Sequence, residues 1–176
     1  IVVLWSDHGY RMGEKGTFAK HCLWEPATRA PLIFSGMGIE KGKIVDAPAE
    51  MLSIYPTLLE MCRLPEYKKN EGISLGPILK GKTGFEPEFA LTTYGWGNHG
   101  IKTKNQRYIR YQDGSEEFYN HNNDPNEWYN LAGKNDVQDD IENLKKYLPK
   151  VDVPYTKHSV YTFTPWFRAD KVNHSE

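Results

Sequence analysis

Cysteine is scarce in this 176-residue chain. Only Cys22 and Cys62 occur, too few for a disulfide scaffold and without the paired spacing of a zinc site. The pair leaves the redox compartment open. An excess of either charge is also missing: 22 Lys and Arg stand against 23 Asp and Glu, a formal net charge of -1. That balance removes the basic footprint of a nucleic-acid binder, so no nucleic-acid partner is expected. No apolar run approaches the ~20 residues needed to cross a bilayer, which excludes a transmembrane helix. Internal repeats and low-complexity tracts are absent too. What is present suffices for a core: 39% apolar residues, 13% aromatics and five Trp, at a length suited to one domain or a domain with a small appendage.

The chain opens Ile1-Val2-Val3-Leu4-Trp5, with neither Met nor signal peptide ahead of it. A continuous β-branched, apolar run predicts a strand buried on both faces, of the kind found inside a parallel sheet. Such a strand needs neighbours, so the chain reads as the C-terminal piece of a longer protein, with targeting information upstream. A polar, glycine-punctuated loop follows from Ser6 to Pro26, and Pro31-Leu32-Ile33-Phe34 predicts a second short buried strand closed by Gly36 and Gly38. From Ser53 to Cys62 the pattern turns helical, with Ile54, Leu58, Met61 and Cys62 on one face, Pro56 in the first turn and Ser53 as N-cap. Tyr67 to Pro87 reads as a surface connection.

A second region begins near Phe89. Phe89 to Tyr94 and Gly100 to Thr103 are strand candidates. Tyr108-Ile109-Arg110-Tyr111, Asp113-Gly114 and Glu117-Phe118-Tyr119 spell a hairpin in which Asp-Gly supplies the positive φ angles of a tight turn. Asp124-Pro125-Asn126-Glu127 predicts a turn. Val137, Ile141, Leu144 and Leu148 mark one stripe of a helix whose acids lie early and whose lysines lie late, matching the helix dipole. The expected organisation is an α/β edge over residues 1–88, then a C-terminal subdomain over 89–176: a small antiparallel sheet, one packed helix and an extended aromatic tail.

Asp7-His8-Gly9 follows the first strand directly, and strand C-termini are where ligands gather in open α/β sheets. With Gly9 allowing a sharp turn, one carboxylate and one imidazole can both reach a metal ion. They are only part of a shell, since Ca²⁺ takes about 6–8 ligands, mostly oxygen. The competing reading makes Asp7 a turn cap and His8 a hydrogen-bonded loop residue. Behind the pair lie Lys15, Lys20 and His21. A metal cation with ammonium groups beside it describes a site for an oxyanion such as sulfate or phosphate. Lys15 reads as a solvated loop lysine, whereas Lys20 sits between Phe18 and Cys22-Leu23-Trp24, an apolar stretch where a lysine needs a reason.

The run Ser6-Asp7-His8-Gly9-Tyr10-Arg11-Met12-Gly13-Glu14-Lys15-Gly16-Thr17-Phe18-Ala19-Lys20, with Leu23-Trp24-Glu25 and Thr28-Arg29-Ala30-Pro31-Leu32-Ile33-Phe34 after it, closely resembles a metal-site segment of the formylglycine-dependent sulfatases. These belong to the alkaline-phosphatase superfamily, and the likeness is to the branch holding iduronate-2-sulfatase and many bacterial polysaccharide sulfatases. Ile54-Tyr55-Pro56-Thr57-Leu58-Leu59-Glu60, Thr93 to His99 and Asp124 to Leu131 resemble later segments in the family's order, so the similarity runs from Ile1 to about Leu148.

The resemblance implies the edge of an alkaline-phosphatase-like sheet, Asp7 and His8 as ligands of Ca²⁺, and Lys20 as a catalytic residue binding the sulfate oxygens. His21 and His99 lie where substrate contacts arise. It further implies a sulfuric ester hydrolase acting on a sulfated small molecule or glycan, periplasmic or secreted, partnered by the N-terminal half of the same protein. The family's formylglycine arises from Cys or Ser in a Cys/Ser-x-Pro/Ala-x-Arg motif, which neither Cys22-Leu23-Trp24-Glu25-Pro26 nor Cys62-Arg63-Leu64-Pro65-Glu66 fits. The nucleophile and the paired aspartates of the metal shell are therefore expected upstream, and this piece alone is expected to be inactive. Two rivals stand beside this reading: a phosphatase or phosphodiesterase of the same superfamily, generally with two zinc ions, and a non-catalytic glycan-binding piece using Trp96, Trp128 and Trp166.

Overall fold

The computed structural model describes residues 1–154. The expected contribution of Trp166 and the far tail lies outside them. The centre is a four-stranded antiparallel meander in which β5 (Ala90–Thr93), β6 (His99–Lys102), β7 (Gln106–Arg110) and β8 (Glu116–Asn120) lie in sequence order. Side chains alternate across a pleated sheet, and this sequence places apolar groups on both faces. Ile101, Tyr108 and Phe118 point to one side and pack on Ile141 and Leu144 of α4 (Gln138–Lys145). Ile109 and Tyr119 point to the other and pack on Leu23 and Trp24. Val137 and Leu148 join the α4 side, so the whole predicted helical stripe is used. The candidate site loop runs directly into the opposite layer.

The β7–β8 hairpin forms where Asp113-Gly114 predicted it, with a different turn. Only Gly114 has positive φ, 83°. The Gly114 N–H donates to the Tyr111 carbonyl and the Tyr111 N–H to the Ser115 carbonyl. This is a three-residue loop built on a turn followed by one left-handed residue, not the two-residue form with two positive φ angles.

The opening strand differs from expectation. β1 (Val2–Trp5) pairs antiparallel with β4 (Leu32–Ser35), from Val2 opposite Ser35 to Trp5 opposite Leu32, and between them in the chain β2 (Arg11–Met12) and β3 (Phe18–Ala19) form a two-residue antiparallel ladder. Val2, Leu4, Trp5 and Ile33 all remain more than half exposed. Neither strand is buried on both faces: among the described residues each has one strand neighbour, and only Val3, Leu32 and Phe34 are half-buried. The apolar run is real; its cover is not among these residues.

α2 (Ile54–Met61) holds Pro56 in its first turn. Ser53 does not cap it through its side chain. A 3-10 turn over Met51–Ser53 leads in, Ser53 already has helical φ and ψ, and its carbonyl accepts the Thr57 hydroxyl at 2.5 Å. The buried residue of α2 is Thr57, whose Oγ1 accepts the Leu75 N–H at 2.8 Å. It thereby docks α3 (Gly76–Leu79), a short helix inside the stretch read as a connection. A four-residue helix α1 (Glu25–Thr28), started by Pro26 near its N-terminus, links the site loop to β4.

Candidate metal and anion site

Asp7, His8 and Lys20 converge at the end of β1. The His8 backbone is pinned on both sides: the Ser6 hydroxyl donates to the His8 carbonyl at 2.8 Å, and the Gly9 N–H donates to the Ala27 carbonyl at 2.8 Å. Gly9 is required for space, not for a special φ. A Cβ there would lie 2.1 Å from the Pro26 carbonyl oxygen, so only glycine lets the strand end approach α1 this closely.

The imidazole orientation follows from its partners. His8 Nδ1 lies 2.6 Å from the Gly9 carbonyl oxygen, an acceptor only, so Nδ1 carries the proton. Nε2 then presents its lone pair outward, the tautomer of a metal-ligating histidine. A cation already answers that lone pair: Lys20 Nζ is 2.7 Å from Nε2. Asp7 Oδ2 lies 3.5 Å from the same nitrogen on an otherwise exposed side chain. One imidazole nitrogen, one carboxylate and one ammonium thus meet at the surface, a donor set suited to a hard cation with an anion beside it. Two protein ligands leave most of a calcium shell to be filled.

The other two histidines separate from this group. His21 is exposed, with its ring 5.7 Å from the Tyr94 ring. His99 is buried, and both nitrogens are engaged, Nδ1 with the Thr93 hydroxyl at 2.9 Å and Nε2 with Asp152 at 2.5 Å. His99, expected to contact substrate, ties β6 to the segment after α4, its side chain pointing inward from a central strand.

The two lysines exchange the environments that sequence gave them. Lys20 is exposed. Lys15, read as solvated, is packed away: its Nζ donates to the Tyr119 hydroxyl at 2.6 Å and sits 4.4 Å from the centroids of both the Trp24 and Tyr119 rings. Burial pulls its pKa below the ordinary lysine range, partly offset by Glu117 and Glu127.

Beneath this layer lies a charged cluster that sequence reading missed. Arg107 Nε donates to Glu127 Oε1 at 2.5 Å, Nη1 to the Leu23 carbonyl at 2.9 Å and Nη2 to Glu25. Glu127 is fully buried at φ 59°, and it also accepts from His121 Nε2 at 2.8 Å and from the Glu25 N–H at 2.8 Å. Burial would raise its pKa, but His121, Arg107 and the backbone donor outweigh that and hold it below the usual carboxylate range. Glu25, His121 and Glu127 are metal-type donors within 4.8 Å of one another, yet the Arg107 guanidinium already pairs with both carboxylates. The legible signal was Arg107 on β7, two residues before Ile109 and therefore on the same inward face.

Residues 13–153 match the model of the family described as N-sulphoglucosamine sulphohydrolase, C-terminal. The chain belongs to this family. The match includes Lys15 and Lys20, while Asp7 and His8 precede it. A sulfatase of Formosa agariphila is 54% identical over 98% of this chain and 34% of its own length. Among solved structures, a 2-O GAG sulfatase superposes with a TM-score of 0.76 at 22% identity, over 97% of this chain and 36% of that one. A phosphonate monoester hydrolase of Agrobacterium radiobacter superposes with a TM-score of 0.72 at 18% identity, over 82% of this chain and 33% of that one. At such identities the superpositions establish the fold alone. The sulphohydrolase C-terminal chain spans about a third of the length of the curated relatives it matches. Its mixed architecture of small antiparallel sheets with few helices is the one those structures share. Among the described residues no helix is long and apolar enough to cross a membrane.

Proposed function

We propose that this sulphohydrolase domain contributes the metal-and-anion corner of a sulfatase that hydrolyses a sulfate ester on a carbohydrate. The observation carrying the proposal is the single contact point of Asp7, His8 and Lys20, with the His8 tautomer fixed by Gly9. Asp7 and His8 would hold the cation, calcium by family likeness. When bound, the cation neutralises sulfate charge and orients the ester. Lys20 reaches out of an exposed loop and supplies a donor to the sulfate oxygens, where charge builds as the ester bond breaks. His21 follows Lys20 in the same loop, exposed, and would contact the substrate beside it.

The nucleophile belongs elsewhere in the protein. Burial pushes the Cys22 thiol pKa up, away from the thiolate that a cysteine nucleophile would need, and neither cysteine lies in a formylglycine motif. A periplasmic or secreted location accompanies the sulfatase reading as a family inference.

In the full-length protein, Lys20→Ala is expected to lower kcat on a sulfate ester by about 100- to 1,000-fold, the scale of losing one positioned donor. Near-normal turnover would overturn the assignment. A second reading, phosphate or phosphonate ester hydrolysis, draws on the shared fold with a phosphonate monoester hydrolase. Metal analysis returning zinc without calcium, together with faster turnover of a phosphate monoester than of its sulfate analogue, would favour it.

A further inference from the structure

The loop from Gly13 to Lys20 is braced internally by buried Arg11, which donates to the Thr17 hydroxyl and the Ala19 carbonyl, but these bonds do not tie the loop to the C-terminal sheet. The loop's stem is a ladder of two residues on each side, Arg11–Met12 against Phe18–Ala19, far short of what holds a hairpin unaided. The loop also contains two non-glycine residues with left-handed φ, Lys15 at 53° and Ala19 at 84°. Ala19 immediately precedes Lys20. Such conformations persist only where surrounding contacts fix them.

The fixing contacts come from the C-terminal sheet. The Lys15 ammonium lies between the Trp24 and Tyr119 rings and donates to the Tyr119 hydroxyl. Below it, Glu117 accepts the Trp24 indole N–H at 2.6 Å, the Tyr119 hydroxyl at 2.6 Å and the Tyr111 hydroxyl at 3.0 Å, and lies 4.0 Å from Lys15 Nζ. Both members of the pair are largely withdrawn from water, with side-chain exposures of 14% and 18%. A three-times-bonded carboxylate in such a place requires a counter-charge, and Lys15 is the cation that meets it. An apolar side chain would fill the ring gap and leave Glu117 without one.

We infer that Lys15 is a positioning residue: by locking the Gly13–Lys20 loop to Trp24, Glu117 and Tyr119, it sets where the Lys20 ammonium meets the anion. The inference rests on the reading of Lys20 as an anion ligand. Lys15 touches neither metal nor substrate and acts only through Lys20.

The test uses the full-length protein and inorganic sulfate as a competitive probe, because its inhibition constant does not depend on the fraction of molecules folded. Lys15→Met is expected to raise that constant about tenfold, the scale of one misplaced charge-assisted hydrogen bond, with Lys15→Arg recovering most of it. In a Lys20→Ala background, adding Lys15→Met should change it less than about twofold, since coupled residues are not additive. If Lys20→Ala itself leaves sulfate binding intact, the anion-site reading fails. If Lys20→Ala weakens sulfate but Lys15→Met does not, or if the two losses simply multiply, the positioning role alone is overturned. Should Lys15→Met fail to fold, the isosteric Glu117→Gln decides: weakened sulfate binding supports the anchor, and unchanged binding overturns it.

Discussion

Replacing Arg107 by methionine is the most informative test of what joins the site layer to the sheet. The side chain is 2% exposed and its guanidinium spends three donors on Glu127, Glu25 and the Leu23 carbonyl. Methionine has nearly the length to fill the space, so the packing loss is small and the electrostatic loss dominates. Glu127 stays fully buried with only His121 and one backbone N–H to hold its charge. Removing one partner of a buried pair costs about 3–5 kcal/mol. An exposed pair is worth about 0–1 kcal/mol, so the two cases are well separated. Trp24 adjoins Leu23 and stacks in the same layer, which makes its fluorescence a local reporter of urea unfolding. The midpoint should fall by the equivalent of at least 3 kcal/mol with little change in slope. Glu127→Gln added to Arg107→Met should restore part of the loss, because the orphaned charge goes with it. A single-variant loss below about 1 kcal/mol would refute the view that Arg107 neutralises a buried cluster.

The depressed pKa of Glu127 carries its own pH signature: its stabilisation is fully present above the ordinary carboxylate pKa and is lost as pH falls through the lower folded-state value. The wild type should therefore lose stability as pH falls below about 4.3, and Glu127→Gln, already weaker at pH 7, should show a shallower acid slope in the same urea titrations. Gly9→Ala should unfold the strand end or shift α1, costing about 1–3 kcal/mol or more as forced overpacking against backbone, because the new Cβ meets the Pro26 carbonyl oxygen at 2.1 Å; thermal melting that matches wild type would contradict the close approach. Asp7→Ala should lower the calcium retained by the full-length protein after dialysis, read by atomic emission, by about tenfold or more, as expected for losing a carboxylate ligand of a hard cation; undiminished calcium would remove Asp7 from the shell.

The features legible in the sequence are those whose physics is local. The β7–β8 hairpin rests on a left-handed Gly114 within four residues of both strands, and α4 rests on a stripe repeating every turn. The meander of β5 to β8 follows, since short antiparallel neighbours close through short loops. The gathering of Asp7, His8 and Lys20 was legible for the same reason: all three fall within fourteen residues of one loop, tied back by a two-residue ladder. What escaped was decided across the molecule. Lys15 is largely enclosed because Tyr119, 104 positions away, supplies a ring and a hydroxyl. Arg107 is an ion-pair centre because Glu25 lies 82 positions before it and Glu127 20 after. Nothing within a few residues of Lys15 or Lys20 distinguishes the lysine that will be solvated from the one that will be enclosed. The apolar neighbours of Lys20 marked the right place in the chain, yet the burial they suggested falls on Trp24 and Leu23 themselves. β1 makes the same point from the other side: its composition demands cover, but composition cannot name the element that provides it. A lysine's environment in this loop is therefore set by the sheet that receives it: Lys15 reaches that sheet and is enclosed, while Lys20 does not and stays exposed.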